Sequence, residues 1–224
     1  MSRPTTIAIP LFDGFTALDA IGPYEVLRSV PEAGVVFCGV EARIYRTDSG
    51  AVGLAADRSF DQVEEADVLV VPGGIGSRKL LDAAGPYAQW ICAIHETTTW
   101  TTSVCTGSLL LAAAGLLDGL DATTHWAARD QLAELGANPV AERVVFQGKI
   151  VTAAGVSAGI DMALRLVEEI GGQDLAKATQ LAIEYDPDPP HDSGSVEKAD
   201  PEVVEMIASV MAKQDGREGP GDGA

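Results

Sequence analysis

The sequence predicts an α/β protein, a three-layer α/β/α sandwich built around a mostly parallel β-sheet. Along the 224 residues, short apolar runs bounded by turn residues alternate with longer segments of helical period, which is typical of this class. Residues 68–71 (VLVV) are aliphatic throughout, as expected of a central strand covered on both faces. Because no internal repeat or convincing domain boundary interrupts the alternation, we predict one domain over residues 1–213.

Each predicted strand is a short apolar or alternating run that ends at turn residues. In chain order, the predicted strands are 6–12, 34–40, 41–46, 51–55, 68–71, 101–104, 144–146 and 150–152. Two pairs of these strands are predicted hairpins, one around Asp48-Ser49-Gly50 and one around Gln147-Gly148-Lys149.

The predicted helices show apolar residues at helical spacing. They span residues 17–30, 86–98, 108–114, 126–135, 160–170, 174–183 and 201–213. Pro86 suits the first turn of its helix, and Gly171-Gly172 separates two of the others. Residues 186–195 (DPDPPHDSGS) contain too many prolines for regular structure. Residues 214–224 are rich in glycine and charge, and we predict that they are disordered.

The charge balance argues against several classes of partner. With 15 Lys and Arg against 33 Asp and Glu, the net charge is −18, which repels nucleic-acid phosphates and anionic lipid headgroups. The longest apolar run, residues 109–114, is too short to cross a bilayer, and the first residues do not form a signal-peptide pattern. Three cysteines do not make a disulfide framework. We therefore expect a cytoplasmic protein that binds neither nucleic acid nor membranes.

Cys105 is the strongest candidate nucleophile. It lies where the predicted strand 101–104 meets the predicted helix 108–114, so the chain must turn abruptly there. The first N–H groups of that helix would face the sulfur and stabilise the thiolate, which predicts a lowered pKa. By contrast, Cys38 lies inside an apolar strand and Cys92 within a helix, and both are predicted to be buried and inert.

A cysteine nucleophile needs a group that moves protons. Asp19 is a single charge among apolar residues near the start of the first predicted helix. It is either a solvated first-turn carboxylate or a buried one, and burial would raise its pKa toward an acid–base role. His125 is either a general base or a structural residue before a helix, and the sequence leaves both open. No histidine or cysteine spacing fits a metal site, so we predict none.

Gly73 and Gly74 directly follow the strand 68–71. Their surroundings, Pro72-Gly73-Gly74-Ile75-Gly76, lack both the dinucleotide fingerprint and the phosphate-loop lysine pattern. Beside a nucleophile, the two glycines make better sense as a source of backbone N–H groups that stabilise a developing anion.

A competing interpretation is a serine hydrolase. Residues 155–159 (GVSAG) spell G-x-S-x-G, and Ser157, Asp186 or Asp188, and His191 follow in the order of a hydrolase triad. Only 34 residues separate Ser157 from His191, which leaves little room for the remaining strands of that fold. We therefore regard the serine hydrolase as the weaker alternative.

Three segments resemble the ThiJ/PfpI superfamily, and the likeness extends over residues 6–183. They are 70–74 (VVPGG), 104–107 (VCTG) with the LAAAGLL that follows, and 122–126 (ATTHW). Within the superfamily, residues 18–23 (LDAIGP), 103–108 (SVCTGS) and 180–190 (QLAIEYDPDPP) are similar to the isonitrile hydratase subfamily.

The resemblance implies a flavodoxin-like fold, a homodimer and no cofactor. It makes Cys105 the nucleophile and Asp19 the acid that hydrogen-bonds the sulfur. Gly74 and Thr106 match positions whose backbone N–H groups form an oxyanion-type pocket, so Thr106 joins the catalytic centre. Thr106 also stands where protease-like members carry histidine, so peptidase activity is not supported. We expect Gly73, Ile75 and Val156 to line the same substrate pocket.

The implied activity is that of a lyase that hydrates isonitriles to N-substituted formamides through a covalent thioimidate on the cysteine. Two alternatives within the superfamily need the same cysteine: a glyoxalase or deglycase, and a thiol stress sensor. The sensor domains of AraC-like regulators share the 122–126 region, but the acidic C-terminal segment of this chain is unsuited to DNA.

Overall fold

The apolar runs form a central sheet in the computed structural model, which describes residues 4–214. The strands are β1 (Thr6–Pro10), β2 (Gly34–Gly39), β3 (Ile44–Arg46), β4 (Gly53–Ala55), β5 (Arg58–Ser59), β6 (Val68–Val71), β7 (Trp100–Val104), β8 (Asp121–Ala122), β9 (Asn138–Pro139), β10 (Val144–Gln147) and β11 (Ile150–Ala153). Seven of them make one sheet in the order β10-β11-β7-β6-β1-β2-β5, in which β10 alone is antiparallel to its neighbour. The predicted mostly parallel sheet is confirmed.

Helices cover this sheet. They are α1 (Ala17–Leu27), α2 (Pro86–Thr97), α3 (Gly107–Ala113), α4 (Arg129–Glu134), α5 (Ala158–Gly171) and α6 (Gln173–Ala182). One further helix, α7 (Pro201–Gln214), follows in a separate unit of the chain. The β1-α1-β2 connection runs toward one edge of the sheet and the β6-α2-β7 connection toward the other. Right-handed crossovers therefore place α1 and α2 on opposite faces. Helix α5 packs beside α1, and α6 packs on α5, which completes the flavodoxin-like sandwich.

The differences from the predicted elements are local. Strands β5, β8 and β9 have two residues each, too few to give a periodic signal in the sequence. The predicted helix 126–135 begins instead with a 3₁₀ turn, Trp126–Ala128, before α4. A second 3₁₀ helix, Ile75–Leu80, was also not predicted, and it follows the glycines after β6.

The described residues divide into two compact units between Glu184 and Tyr185. In the second unit, residues 186–195 have no helix or strand, as predicted, and α7 extends to Gln214. The rest of the predicted disordered tail, 215–224, lies outside the described residues, and the single domain over 1–213 stays a prediction. None of the helices within residues 4–214 has the length and apolar character needed to cross a membrane.

Candidate active site

The candidate site lies at the carboxyl edge of the sheet. Strands β1, β6, β7 and β11 are mutually parallel, so the segments that follow them meet at this edge. Open α/β sheets bind ligands there. The segments carry Asp19, Gly73, Cys105 and Val156, which the sequence places far apart.

Cys105 forms a strained turn between β7 and α3. Its φ of +56° lies in the left-handed region, which a residue with a Cβ occupies at a cost of about 1–2 kcal/mol. The backbone N–H of Cys105 donates to the carbonyl oxygens of Ala153 (3.1 Å) and Ala154 (2.9 Å). Its carbonyl oxygen accepts hydrogen bonds from Thr124 Oγ1 (3.0 Å) and Ser108 Oγ (3.2 Å). These contacts hold the predicted abrupt turn in place.

Asp19 is fully buried in the first turn of α1. Its Oδ2 accepts a hydrogen bond from the backbone N–H of Gly73 (3.0 Å), and its carboxyl interacts with the Cys105 thiol. Burial raises the pKa of Asp19 to about 7, and the Gly73 and Cys105 hydrogen bonds only partly oppose the rise. Of the two interpretations left open by the sequence, the structure therefore favours the buried carboxyl.

The pKa of Cys105 differs from the expectation. Burial, followed by the charge of Asp19, raises the pKa of this thiol. The backbone N–H groups of Val156 and Thr106 approach the sulfur and oppose that rise without overcoming it. The predicted lowering considered only the local N–H groups. It is wrong because burial and the charge of a carboxyl from a distant part of the chain outweigh them.

Gly73 and Gly74 allow the loop after β6 to pass close to the turn at Cys105. A Cβ on Gly73 would lie 2.5 Å from the backbone nitrogen of Thr106, and Gly74 has a φ of +134°. The N–H groups of both glycines are engaged, since Gly73 donates to Asp19 and Gly74 donates to Thr106 Oγ1 (2.8 Å). The expected free N–H of Gly74 for an oxyanion is therefore not found, because the Thr106 hydroxyl occupies it.

Ser77 is a neighbour of the candidate site that no sequence pattern indicated. It is fully buried, and its hydroxyl lies 2.8 Å from the carbonyl oxygen of Gly74 and 3.1 Å from Thr106 Oγ1. Thr106 and Ser77 thus fix the loop that presents Gly73 to Asp19. One serine in an unpredicted 3₁₀ turn has no distinguishing spacing, so the sequence offered no signal for it. On the same loop, Ile75 is exposed, with 43% of its surface accessible.

Val156 and His125 lie on two neighbouring loops of the candidate site. The N–H of Val156 approaches Cys105, and its φ of +22° is unusual for a β-branched residue. The His125 ring packs on Gly155, where a Cβ would lie 2.9 Å from its Cδ2. His125 Nδ1 accepts a hydrogen bond from the N–H of Ala127 (3.3 Å). His125 therefore borders the Val156 loop and caps the 3₁₀ turn that follows it.

The other candidate nucleophiles have different surroundings. Ser157 is exposed, has a helical φ of −71°, and accepts a hydrogen bond from Arg143 Nη2 (3.2 Å). Cys38 is fully buried, and burial raises its pKa. Cys92 is half-buried and donates its S–H to the Ala114 carbonyl (3.2 Å).

Within residues 4–214, no cluster of His, Cys, Asp and Glu is placed to hold a metal ion.

Comparison with known proteins identifies the family. The DJ-1/PfpI family pattern matches residues 5–169. The chain belongs to the DJ-1/PfpI family. A protein named isonitrile hydratase from Pseudomonas putida is 43% identical over 199 residues, which cover 89% of this chain and 86% of that protein. The sequence-based assignment to this superfamily is thus confirmed.

Two further DJ-1/PfpI relatives show the range of the family. The crystal structure of a ThiJ/PfpI family protein from Pseudomonas syringae superposes with a TM-score of 0.88 at 33% identity, covering 96% of this chain and 90% of the other. The HTH-type transcriptional regulator CdhR of Pseudomonas aeruginosa is 31% identical over 179 residues, which cover 74% of this chain and 51% of the regulator. The same fold therefore occurs both in proteins of this length and within longer regulators.

Proposed function

We propose that this protein hydrates isonitriles to N-substituted formamides, with Cys105 as nucleophile and Asp19 as the group that moves protons. The proposal is supported by the 43% identity to a protein named isonitrile hydratase over most of both chains. The observation that carries it is the fully buried Asp19 carboxyl, which has a pKa of about 7 and interacts electrostatically with the Cys105 thiol. The reaction needs one group to release a proton and later to accept one, and such a carboxyl does both near pH 7.

Asp19 and Cys105 titrate as a coupled pair. The first proton leaves near pH 7, and the second leaves at far higher pH because two adjacent buried anions repel each other. Near neutrality, the pair therefore shares one proton. In the reactive arrangement, the proton is on Asp19 and the sulfur is a thiolate that the N–H groups of Val156 and Thr106 stabilise.

In the first step, the Cys105 thiolate attacks the terminal carbon of the isonitrile. A carbon–sulfur bond forms, and the Asp19 carboxyl gives its proton to the same carbon. The product is a thioimidate, in which sulfur, hydrogen and a doubly bonded nitrogen are attached to that carbon. Asp19 is left as a carboxylate, ready to accept a proton.

In the second step, water adds to the thioimidate carbon. Asp19 takes one water proton and is restored to its acid form, while the remaining hydroxyl proton passes to nitrogen as the carbonyl forms. The carbon–sulfur bond breaks and the thiolate leaves, which releases the formamide. The sum of the two steps is the addition of one water molecule to the isonitrile.

The N–H groups around the sulfur fit this sequence of steps. Because Gly74 donates to Thr106 Oγ1, the loop after β6 serves to hold Thr106 and Asp19 rather than an oxyanion. The N–H groups of Val156 and Thr106 instead face the sulfur, where they favour the thiolate both as nucleophile and as leaving group. In keeping with the family resemblance, the proposed enzyme is a homodimer without a cofactor, and we also expect it to be cytoplasmic.

The test is formamide production from n-butyl isonitrile by the purified full chain. We expect turnover by the wild type, complete loss in Cys105→Ala, and wild-type turnover in the matched variant Cys92→Ala. Retained turnover in Cys105→Ala would contradict the proposal. Methylglyoxal turnover above isonitrile turnover would favour the glyoxalase alternative. A protein with neither activity whose Cys105 oxidises readily would favour the thiol sensor.

A further inference from the structure

A cavity of about 370 Å³ opens beside the candidate site and does not include Cys105. Its walls come from the segments that follow β1, β2 and β6 and from the first turn of α2. It therefore lies at the carboxyl edge of the sheet, where this class of fold accommodates ligands. Its volume falls within the range of small-molecule pockets, about 300–1,000 Å³.

The floor of the cavity is apolar and rigid. Leu11, Phe12 and Tyr87 form it, and each is at least nine-tenths buried as a whole residue. The Tyr87 hydroxyl donates to the Pro10 carbonyl (3.1 Å), and its ring meets Phe12 edge to face at 5.7 Å between centroids. Because Tyr87 is 2% exposed and its hydroxyl is already engaged, it closes the floor of the cavity and leaves little of its ring accessible.

The rim carries two cations that differ in their partners. Arg43 is paired with Asp13 (2.7 Å), and its guanidinium lies 3.8 Å above the centroid of the Tyr45 ring. Lys79 also lines the cavity and is exposed, but no carboxylate within residues 4–214 lies at ion-pair distance from it. Two carboxylates, Asp13 and Glu41, also line the cavity, and both lie at ion-pair distance from Arg43. Lys79 is therefore the lining cation that has no carboxylate partner among residues 4–214.

We infer that the cavity is a second small-molecule site, which binds a monocarboxylate with an aromatic or branched apolar body. The body would lie against Val40 and Leu80, above the closed apolar floor, and the carboxylate would pair with Lys79. Arg43 would contribute little, because Asp13 already neutralises it. The cavity shares no residue with the proposed hydration machinery, so ligand binding there does not depend on that function.

The loop geometry gives such a site a route to the candidate active site. Gly76 lines the cavity, and its N–H donates to the Gly14 carbonyl (3.1 Å). It belongs to the same loop as Gly73, whose N–H donates to Asp19. A ligand in the cavity therefore contacts the loop that positions the buried carboxyl.

The experiment is a titration of the ¹⁵N-labelled full chain with 3-phenylpropionate, followed by ¹H–¹⁵N spectra. We expect saturable shifts at residues of the cavity, such as Gly76 and Leu80. We expect Lys79→Gln to weaken binding about 2- to 5-fold, the usual effect of one exposed ion pair. The matched variant Lys177→Gln, an exposed lysine on α6, should bind as the wild type does.

Two further variants distinguish binding in this cavity from binding at Cys105 or at the general surface. Val40 is a partly exposed wall residue, so Val40→Trp should fill the cavity without disturbing the core and abolish saturation. The Cys105→Ala variant should bind normally. Absence of saturation in the wild type, equal affinity in Lys79→Gln and Lys177→Gln, or shifts confined to the surroundings of Cys105 would each overturn the inference.

Discussion

Cys105 and Ser157 occupy corresponding places after two neighbouring parallel strands, β7 and β11, and each precedes a helix. Cys105 has a φ of +56°, is 5% exposed, and faces a buried carboxyl. Ser157 has an ordinary helical backbone, lies at the surface, and accepts a hydrogen bond from Arg143. The five-residue pattern around Ser157 is the better sequence match to a known nucleophile motif. The comparison shows that backbone strain and enclosure, rather than the letters of a motif, distinguish the two turns.

The largest expected effect beyond loss of the cysteine is that of Asp19→Asn. The amide cannot give or take the proton, so we expect isonitrile turnover to fall by about 10²–10⁴-fold. The wild-type rate should rise with pH as the Asp19–Cys105 pair loses its first proton near pH 7, and this inflection should disappear in the variant. The measurement is a pH–rate profile of both proteins. The same inflection in the two profiles would remove Asp19 from the mechanism.

The buried carboxyl should also make stability depend on pH. Because the folded-state pKa of Asp19 is raised from 3.8 to about 7, the folded state binds a proton more tightly than the unfolded chain. Its stabilising contribution is complete below pH 3.8 and is lost as the pH rises through 7. The unfolding free energy of Asp19→Asn relative to wild type should therefore increase by roughly 4 kcal/mol between pH 4 and pH 8.

Urea unfolding at several pH values measures this difference. The exposed variant Asp61→Asn is the control for exchanging a surface carboxylate for an amide, and it should change stability by less than about 0.5 kcal/mol. A difference for Asp19→Asn that does not change with pH would mean that this carboxyl is hydrated in solution. The environment of Asp19 would then be closer to the exposed environment of Ser157 than to the buried environment of Cys105.

Gly73→Ala tests how closely the turn at Cys105 is enclosed. The added Cβ would lie 2.5 Å from the Thr106 nitrogen and 2.6 Å from its hydroxyl oxygen, so the loop must shift. We expect a loss of about 1–3 kcal/mol in unfolding free energy, as for an overpacked core. Gly34→Ala, which has no atom within 4 Å of the new Cβ, should change stability by less than about 0.5 kcal/mol. Equal effects would show that the loop is not tightly packed.

Thr124→Val tests whether the hydrogen bond from Thr124 to the Cys105 carbonyl helps to hold the strained turn. The variant keeps the shape of the side chain but loses the hydrogen bond to the Cys105 carbonyl, while Ser108 keeps its own. We expect a loss of about 1 kcal/mol in stability, together with slower turnover. Thr179→Val also removes a buried hydroxyl contact, with Ser29, but on α6 away from the turn. It should lower stability without slowing turnover, and slower turnover in both variants would contradict a specific role for Thr124.

Ser157→Ala should have the smallest effect. Arg143 keeps its ion pair with Asp161 (2.5 Å) after the hydroxyl is removed, and the site is exposed. We expect stability within about 0.5 kcal/mol of the wild type and unchanged isonitrile turnover. A catalytically dead variant would reverse the comparison and restore the serine hydrolase.

The sequence predicts those features that depend on neighbours in the chain. The turn at Cys105 follows from a strand and a helix that leave too few residues between them for a relaxed loop, and the parallel sheet follows from alternating apolar segments. By contrast, the raised pKa of Cys105 depends on Asp19, which is 86 positions away along the chain. The hydrogen bond from Gly74 to Thr106 likewise joins two loops that only the folded sheet brings together. Such long-range contacts leave no trace in periodicity or spacing.

The two edge strands of the central sheet affect how readily the protein aggregates at high concentration. A long, flat edge strand is a template to which a strand of another chain can pair through its backbone, and this pairing is the first stage of fibre growth. Here one edge strand is β5, which has two residues and begins with the exposed Arg58. The other is the antiparallel β10, whose Phe146 ring is held edge-on against Trp100. Neither edge strand offers a long run of unpaired backbone N–H and C=O groups, so the folded protein should resist aggregation through strand addition.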